Sequence, residues 1–168
     1  MRAFLVLIGE GPMRGPLTER LAGKRALLPG YVQDRTLLAQ WLASADLYAS
    51  AMADETFGIS VIEAQASGLP VVGVAGGAMV DRVTPDIGRI GPVLDAAAMA
   101  RNLEEVWAGD TRAMGEASWR HAQQFSWRQS MNSLFGTLYP RALHAAAQRS
   151  NKALAGPALV EARDAARA

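Results

Sequence analysis

Short apolar runs and amphipathic stretches alternate along the chain. Segments 3–8, 25–28, 46–49, 70–73 and 88–90 each place a few apolar residues between glycines, prolines or polar positions, and each reads as a strand. Between and after them, segments 17–21, 34–44, 59–67, 77–83, 96–107, 112–124 and 127–147 carry the wider apolar spacing of helices. Strands that alternate with helices predict βαβ units, and hence an α/β fold with a Rossmann-like parallel sheet flanked by helices. Asp34, Asp95 and Ser126 each stand just before an apolar-periodic segment and suit the N-cap position, where a side-chain oxygen accepts a free helix N–H. After residue 147 the pattern decays into polar and alanine-rich sequence. A domain over 1–148 is therefore expected, with 149–168 as a tail that is either frayed helix or disordered chain.

Composition narrows the function classes. At 168 residues the chain is long enough for one domain with a real core. A formal net charge of +1 lacks the basic excess of a nucleic-acid surface. The absence of cysteine excludes disulfides and thiolate metal sites, and fits a reducing, cytoplasmic setting. The apolar run 3–8 is too short to span a membrane and flows straight into Gly9-Glu-Gly-Pro12, so it is expected to be a buried first strand.

The richest chemistry lies in Glu55-Thr-Phe-Gly-Ile-Ser-Val-Ile-Glu63, which continues as Ala64-Gln-Ala-Ser-Gly-Leu-Pro-Val-Val-Gly73. It reads as a loop carboxylate, a glycine, a helix carrying a second carboxylate, then a strand. Gly58 can adopt backbone angles that bring the main chain close to a ligand. A helix starting there would aim the N–H groups of Ile59 and Ser60 outward, and helix N-termini favour anions by about 0.3–1 kcal/mol. Glu63, one turn further in, can accept two hydroxyl hydrogen bonds. An anion and a polyol would both be satisfied, which describes a nucleotide sugar.

Gly9-x-Gly11-x-x-x-Gly15 after an apolar run also admits a dinucleotide-binding reading. Against it, Pro12 lacks an N–H for a phosphate cradle, and the next strand ends in Pro29-Gly30 instead of an acidic ribose ligand. A turn lining a donor cleft fits better, with Glu10 either solvated or a ligand contact. Asp81 and Arg82 read as a surface pair. His121 and His144 show no metal spacing, and Trp41, Trp107, Trp119 and Trp127 are expected to pack rather than to stack on a sugar.

Two glutamates with seven residues between them, followed by Ala-x-Ala-x-Gly-x-Pro-Val-Val, resemble the donor-site signature of the group 1 retaining glycosyltransferases with the GT-B fold. Leu5-Val-Leu-Ile-Gly-Glu-Gly-Pro-Met-Arg14 resembles the family's strand and Gly-Asp-Gly-Pro turn. Leu28-Pro-Gly-Tyr-Val32 resembles its Phe-x-Gly-x-Val segment, Ala45-Asp-Leu-Tyr-Ala-Ser50 its Ala-Asp-Val strand, and Gly76-Gly-Ala78 its glycine pair. The resemblance covers most of the chain and points to the C-terminal, sugar-nucleotide-binding half of such an enzyme.

What it implies is specific. Glu55 is the catalytic candidate, contacting hydroxyls of the transferred hexose, with the N–H groups of Phe57 and Gly58 helping to hold that sugar. The Ile59 and Ser60 N–H groups would meet the diphosphate, Glu63 the ribose, Gly9 and Gly11 the donor cleft, and Tyr31 and Val32 the nucleobase, with buried packing an equal alternative for Tyr31. The reaction would be retaining transfer from a nucleoside diphosphate sugar to a hydroxyl of a glycan, lipid or small molecule, with no cofactor and no metal. Three departures stand out: no Gly-Arg-Leu strand with its following lysine, no acceptor domain, and Ala49 where the family has proline. The chain is thus expected to lack its first strand, to expose a sheet edge open to self-association, and to be inactive alone. Within an intact enzyme it would be cytoplasmic or peripheral at a membrane. The alternative is a catalytically silent domain that binds a nucleotide or a partner.

Overall fold

The computed structural model describes residues 3–154. The chain divides into two compact units, residues 1–123 and 124–168. In the first unit the elements run β1 (Leu5–Ile8), α1 (Arg14–Leu21), β2 (Ala26–Gly30), α2 (Arg35–Ala43), β3 (Tyr48–Ser50), α3 (Ile59–Ala66), β4 (Val71–Val74), α4 (Met79–Arg82), β5 (Gly88–Gly91), α5 (Ala96–Ala108) and α6 (Thr111–Ala122). Every strand and helix expected in this region exists, most within two residues of its expected ends. Asp34 and Asp95 act as caps, accepting from the N–H groups of Thr36 and Leu37 and of Ala98; Asp110 caps α6 in the same way through Ala113.

All strand pairings are parallel, as the alternation predicts, but they form two sheets instead of one. β1 pairs with β2, and separately β4 lies between β3 and β5. The common doubly wound order, 3-2-1-4-5-6, explains the split. The five strands match its positions 3-2 and 4-5-6, and among the described residues no strand occupies the central position between β1 and β3.

Burial follows the same division. β4 is buried along its whole length, and Val61, Val71, Met79, Val83, Ile87 and Ala117 form the core, with Tyr48 and Ile90 packed against it. β1 is not the buried strand that its apolar sequence suggests: Leu5 and Leu7 are exposed, as are Phe4 and Leu27. A strand in a parallel sheet is normally covered by neighbours and helices on both faces, and among the described residues β1 has β2 as its only strand partner.

In the second unit, α7 (Trp127–Ser133) starts at the expected cap Ser126, which accepts from the Gln129 N–H. The single helix expected over 127–147 is interrupted by a π-helical turn, Leu134–Leu138, before α8 (Tyr139–Leu154). Pro140 supplies the reason. It has no N–H for the Gly136 carbonyl and its ring crowds that carbonyl, so the backbone widens one turn ahead of it. α8 carries helix past residue 149, and the remainder of the expected tail lies outside the described residues. No described helix is long and apolar enough to cross a membrane.

Candidate functional site

Loops at the carboxyl ends of parallel strands are where open α/β sheets gather ligand-binding groups, and the loop between β3 and α3 carries the central group. Gly58 is buried, has φ +79° and is the N-cap of α3. That left-handed angle strains any residue with a Cβ, so glycine fixes how the chain enters the helix. No side chain caps α3, and Ile59 and Ser60, its first residues, are exposed. Glu55 folds back so that its Oε1 accepts from the Gly58 N–H at 2.9 Å. The N–H expected to hold a sugar is therefore already engaged by the carboxylate beside it. A carboxylate offers about four acceptor positions, so Glu55 keeps capacity for hydroxyls.

Glu63 sits one turn into α3 and accepts from Arg35 Nη2 at 2.9 Å. Arg35 is 81% exposed and Glu63 28%, so the pair is open to solvent on the arginine side and easily exchanged for another donor. Tyr48, half-buried on β3, hydrogen-bonds Ser60; burial pushes its hydroxyl above the ordinary tyrosine value, the Ser60 bond opposes this, and the charges of Glu55 and Glu63 add to it. Tyr48 thus stands within the field of both glutamates.

The turn after β4 braces this loop from behind. A Cβ on Gly77 would lie 2.2 Å from the Glu55 carbonyl oxygen, and one on Gly76 would lie 2.5 Å from that of Ala53. The Ala78 N–H donates to the same Glu55 oxygen at 2.7 Å. The glycine pair is what lets the two turns touch backbone to backbone. Arg82, expected to pair at the surface with Asp81, reaches this loop: its Nε donates to the Phe57 carbonyl at 3.1 Å and its guanidinium carbon lies 4.9 Å from the Phe57 ring centroid.

The remaining candidates collect after β1 and β2. The Gly9 N–H donates to the Gly30 carbonyl at 2.9 Å, and the Gly11 carbonyl accepts from the Arg14 N–H at 3.0 Å. Glu10 is paired with Arg14, which also reaches the Leu28 carbonyl. Tyr31 is 73% exposed, which removes buried packing as its role, while Val32 is half-buried. The Arg35–Glu63 pair joins this group to the first, because Arg35 follows Tyr31 and Val32 at the start of α2.

Some residues fall elsewhere. Trp107, Trp119 and Trp127 are exposed, contrary to the packing expected of them, and only Trp41 is half-buried. His121 is half-buried on α6, and burial and then the charge of Arg82 lower its pKa, with Asp86 opposing. His144 is exposed beside Gln148. An open hollow of about 570 Å³, lined by Ser67, Gly68, Arg112, Gly115, Trp119 and Arg120 among others, lies at the far end of α3 from Gly58. Among the described residues no three His, Asp or Glu side chains are grouped so as to hold a metal ion. Tyr48 and Gln65 sit at unspecified positions of the motifs above, Arg82 read only as part of a surface pair, and Arg35 belongs to no motif; the fold is what brings the four together around this loop.

Residues 2–108 match the family described as glycosyl transferases group 1. Over 136 residues the chain is 31% identical to a GDP-mannose-dependent alpha-(1-6)-phosphatidylinositol dimannoside mannosyltransferase of Mycobacterium tuberculosis, covering 81% of this chain and 35% of that protein. Among solved structures it is similar to a sucrose-phosphate synthase from Thermosynechococcus elongatus, with TM-score 0.68 and 27% identity over 83% of this chain and 38% of the other. It also superposes on the C-terminal domain of a group 1 family glycosyl transferase from Francisella tularensis, with TM-score 0.63 and 19% identity over 73% of this chain and 69% of that domain. The chain spans about a third of the length of the curated relative.

Proposed function

Because the chain belongs to the group 1 glycosyl transferase family and has the GT-B α/β architecture, we propose that it is the donor-binding part of a retaining hexosyltransferase. One observation carries the reading: an uncapped helix opens at a buried left-handed glycine, with a carboxylate on either side of its start. In this reading the Ile59 and Ser60 N–H groups face the diphosphate and stabilise it as it departs. Glu63 exchanges its exposed arginine partner for the ribose hydroxyls. Glu55, held by Gly58, turns its remaining lone pairs to the hydroxyls of the transferred sugar, and Phe57 forms part of the floor. Tyr31 and Val32 lie on the side where the base would rest, and the Gly9–Gly11 turn lines the cleft. The bond from the anomeric carbon to the diphosphate breaks as the acceptor oxygen bonds that carbon on the same face, and the acceptor's hydroxyl proton passes to the departing diphosphate. No metal takes part. The acceptor binds to a part of the enzyme other than this chain.

The GDP-mannose dependence of the mycobacterial relative makes GDP the first ligand to try, with UDP and ADP as alternatives. Titration calorimetry of the 168-residue chain should detect weak nucleoside diphosphate binding. Glu63→Gln should weaken it by about 1.5–3 kcal/mol, roughly 10- to 150-fold, the value of hydrogen bonds to a charged acceptor. Failure of all three nucleotides to bind at millimolar concentration would overturn the proposal for this chain. A second reading, a domain that binds without taking part in transfer, draws on the internal pairing of both carboxylates. It predicts that Glu55→Gln leaves transfer by the complete enzyme unchanged.

A further inference from the structure

Arg82 and Gln65 form a chain of contacts that ends on the loop just described. Gln65 is fully buried on α3, and its Nε2 donates to the Arg82 carbonyl at 2.6 Å. That bond fixes the end of α4 against α3. Arg82 then reaches over the loop, where its Nε bonds the Phe57 carbonyl at 3.1 Å and its guanidinium lies over the Phe57 ring at 4.9 Å. Hydrogen bond and stack act on the same residue from two directions. A planar guanidinium can do both at once, whereas a lysine ammonium cannot. Phe57 is itself 48% exposed and immediately precedes Gly58.

The peptide unit whose carbonyl Arg82 holds is the one that carries the Gly58 N–H. Rotation of that unit would break the Glu55–Gly58 bond and re-aim the N–H groups that follow. We propose that Arg82 is a positioning residue of the donor site: held by Gln65, it locks the Phe57–Gly58 peptide so that Glu55 and the start of α3 keep the geometry a sugar diphosphate needs. This rests on the donor-site reading above. Arg82 touches no reacting atom in the proposal; it acts through Phe57.

The test uses the whole chain and two readouts. The first needs no ligand: amide hydrogen exchange at residues 57–60, with amides of α5 as an internal control for the fold. Arg82→Gln and Arg82→Lys should both speed exchange at 57–60 and leave α5 unchanged. The second is titration with GDP-mannose and with GMP. Both variants should bind GDP-mannose roughly ten- to a hundredfold more weakly, the size of losing a hydrogen bond to a charged group, and GMP within about twofold of the parent. Phe57→Leu should loosen the same amides, and adding Arg82→Gln to it should cost less than Arg82→Gln alone, since the two act on one contact.

Restoration of GDP-mannose binding by Arg82→Lys would mean that the residue serves as a charge on the ligand, and would overturn the positioning role. So would unchanged exchange and affinity in Arg82→Gln. In that case Glu63→Gln would still weaken GMP binding and the donor-site reading would survive. If the parent chain binds neither nucleotide, the donor-site reading fails, and the exchange measurement alone still decides whether Arg82 holds the loop.

Discussion

Gly77→Ala is the substitution that most directly tests whether the two touching turns set the position of Glu55. Gly77 has φ +50°, and an added Cβ would lie 2.2 Å from the Glu55 carbonyl oxygen and 2.9 Å from its nitrogen. Both atoms are backbone, so no side chain can swing aside. Relief requires the loop to move by about 1 Å, and that motion lengthens the 2.7 Å bond from the Ala78 N–H to Glu55. The left-handed angle costs an alanine about 1–2 kcal/mol and the lost bond about 0.5–1.5, for a destabilisation of about 1.5–3.5 kcal/mol. Urea unfolding followed by circular dichroism should register a midpoint lower by about 1 M. In the fraction that remains folded, nucleoside diphosphate sugar affinity should fall by roughly ten- to a hundredfold, because Glu55 is carried with the loop and loses a hydrogen bond to the sugar. Gly15→Ala is the control: its added Cβ meets nothing within 4 Å on helix α1, and it should be neutral or stabilising by up to about 1 kcal/mol. If Gly77→Ala unfolds at the parental midpoint and binds with parental affinity, the glycine pair does not set the loop and the bracing argument is wrong.

Other outcomes follow from features already described. His121 titrates below 6.5 in the fold, chiefly through burial. As pH falls the unfolded chain therefore takes up the proton first; stability holds above that value and declines below it. Urea midpoints measured from about pH 7.5 to about pH 5.5 should fall, and His121→Gln should flatten that part of the profile. The unpaired edges of β1 and β3 should support association between copies, seen as a molar mass that rises with concentration in light scattering; a constant monomer mass would refute this. Supplied with donor and acceptor, the 168-residue chain should transfer sugar no faster than background, since holding the acceptor in place accounts for roughly 7–11 kcal/mol of such a barrier. Robust transfer by this chain alone would refute the division of labour proposed here.

The sequence revealed what local chemistry dictates. Asp34, Asp95 and Ser126 cap helices because a short polar side chain before an apolar period has that one favoured use, and all three bonds are present. The Glu55–Gly58–Glu63 arrangement was readable for a similar reason: the glycine marks a special backbone angle and the helical period places Glu63 one turn in. What escaped was long-range. The open sheet edge was expected from the family resemblance alone; nothing in the apolar run itself places that edge at Leu5 and Leu7, so by its own pattern the run reads as buried. Arg82 lies 25 residues from Phe57, its hydrogen-bond partner, and Arg35 lies 28 from Glu63; no spacing rule links such pairs. Apolar period alone does not show the break before α8; Pro140 marks it.

The uneven distribution of the core bears on affinity itself. Between residues 3 and 57 only Gly30 is buried, whereas every core side chain belongs to residues 61–122. The β1–β2 half, with Gly9, Gly11 and Tyr31, can therefore open on its own at a free energy well below that of global unfolding, leaving the α3 wall intact. A nucleotide that needs both walls binds only the closed fraction, and its apparent dissociation constant rises as that fraction shrinks; closure one-tenth of the time would cost roughly tenfold. The strength of donor binding would then be governed by order in a half of the protein that carries neither glutamate, and whatever steadies β1 would raise it without touching the ligand.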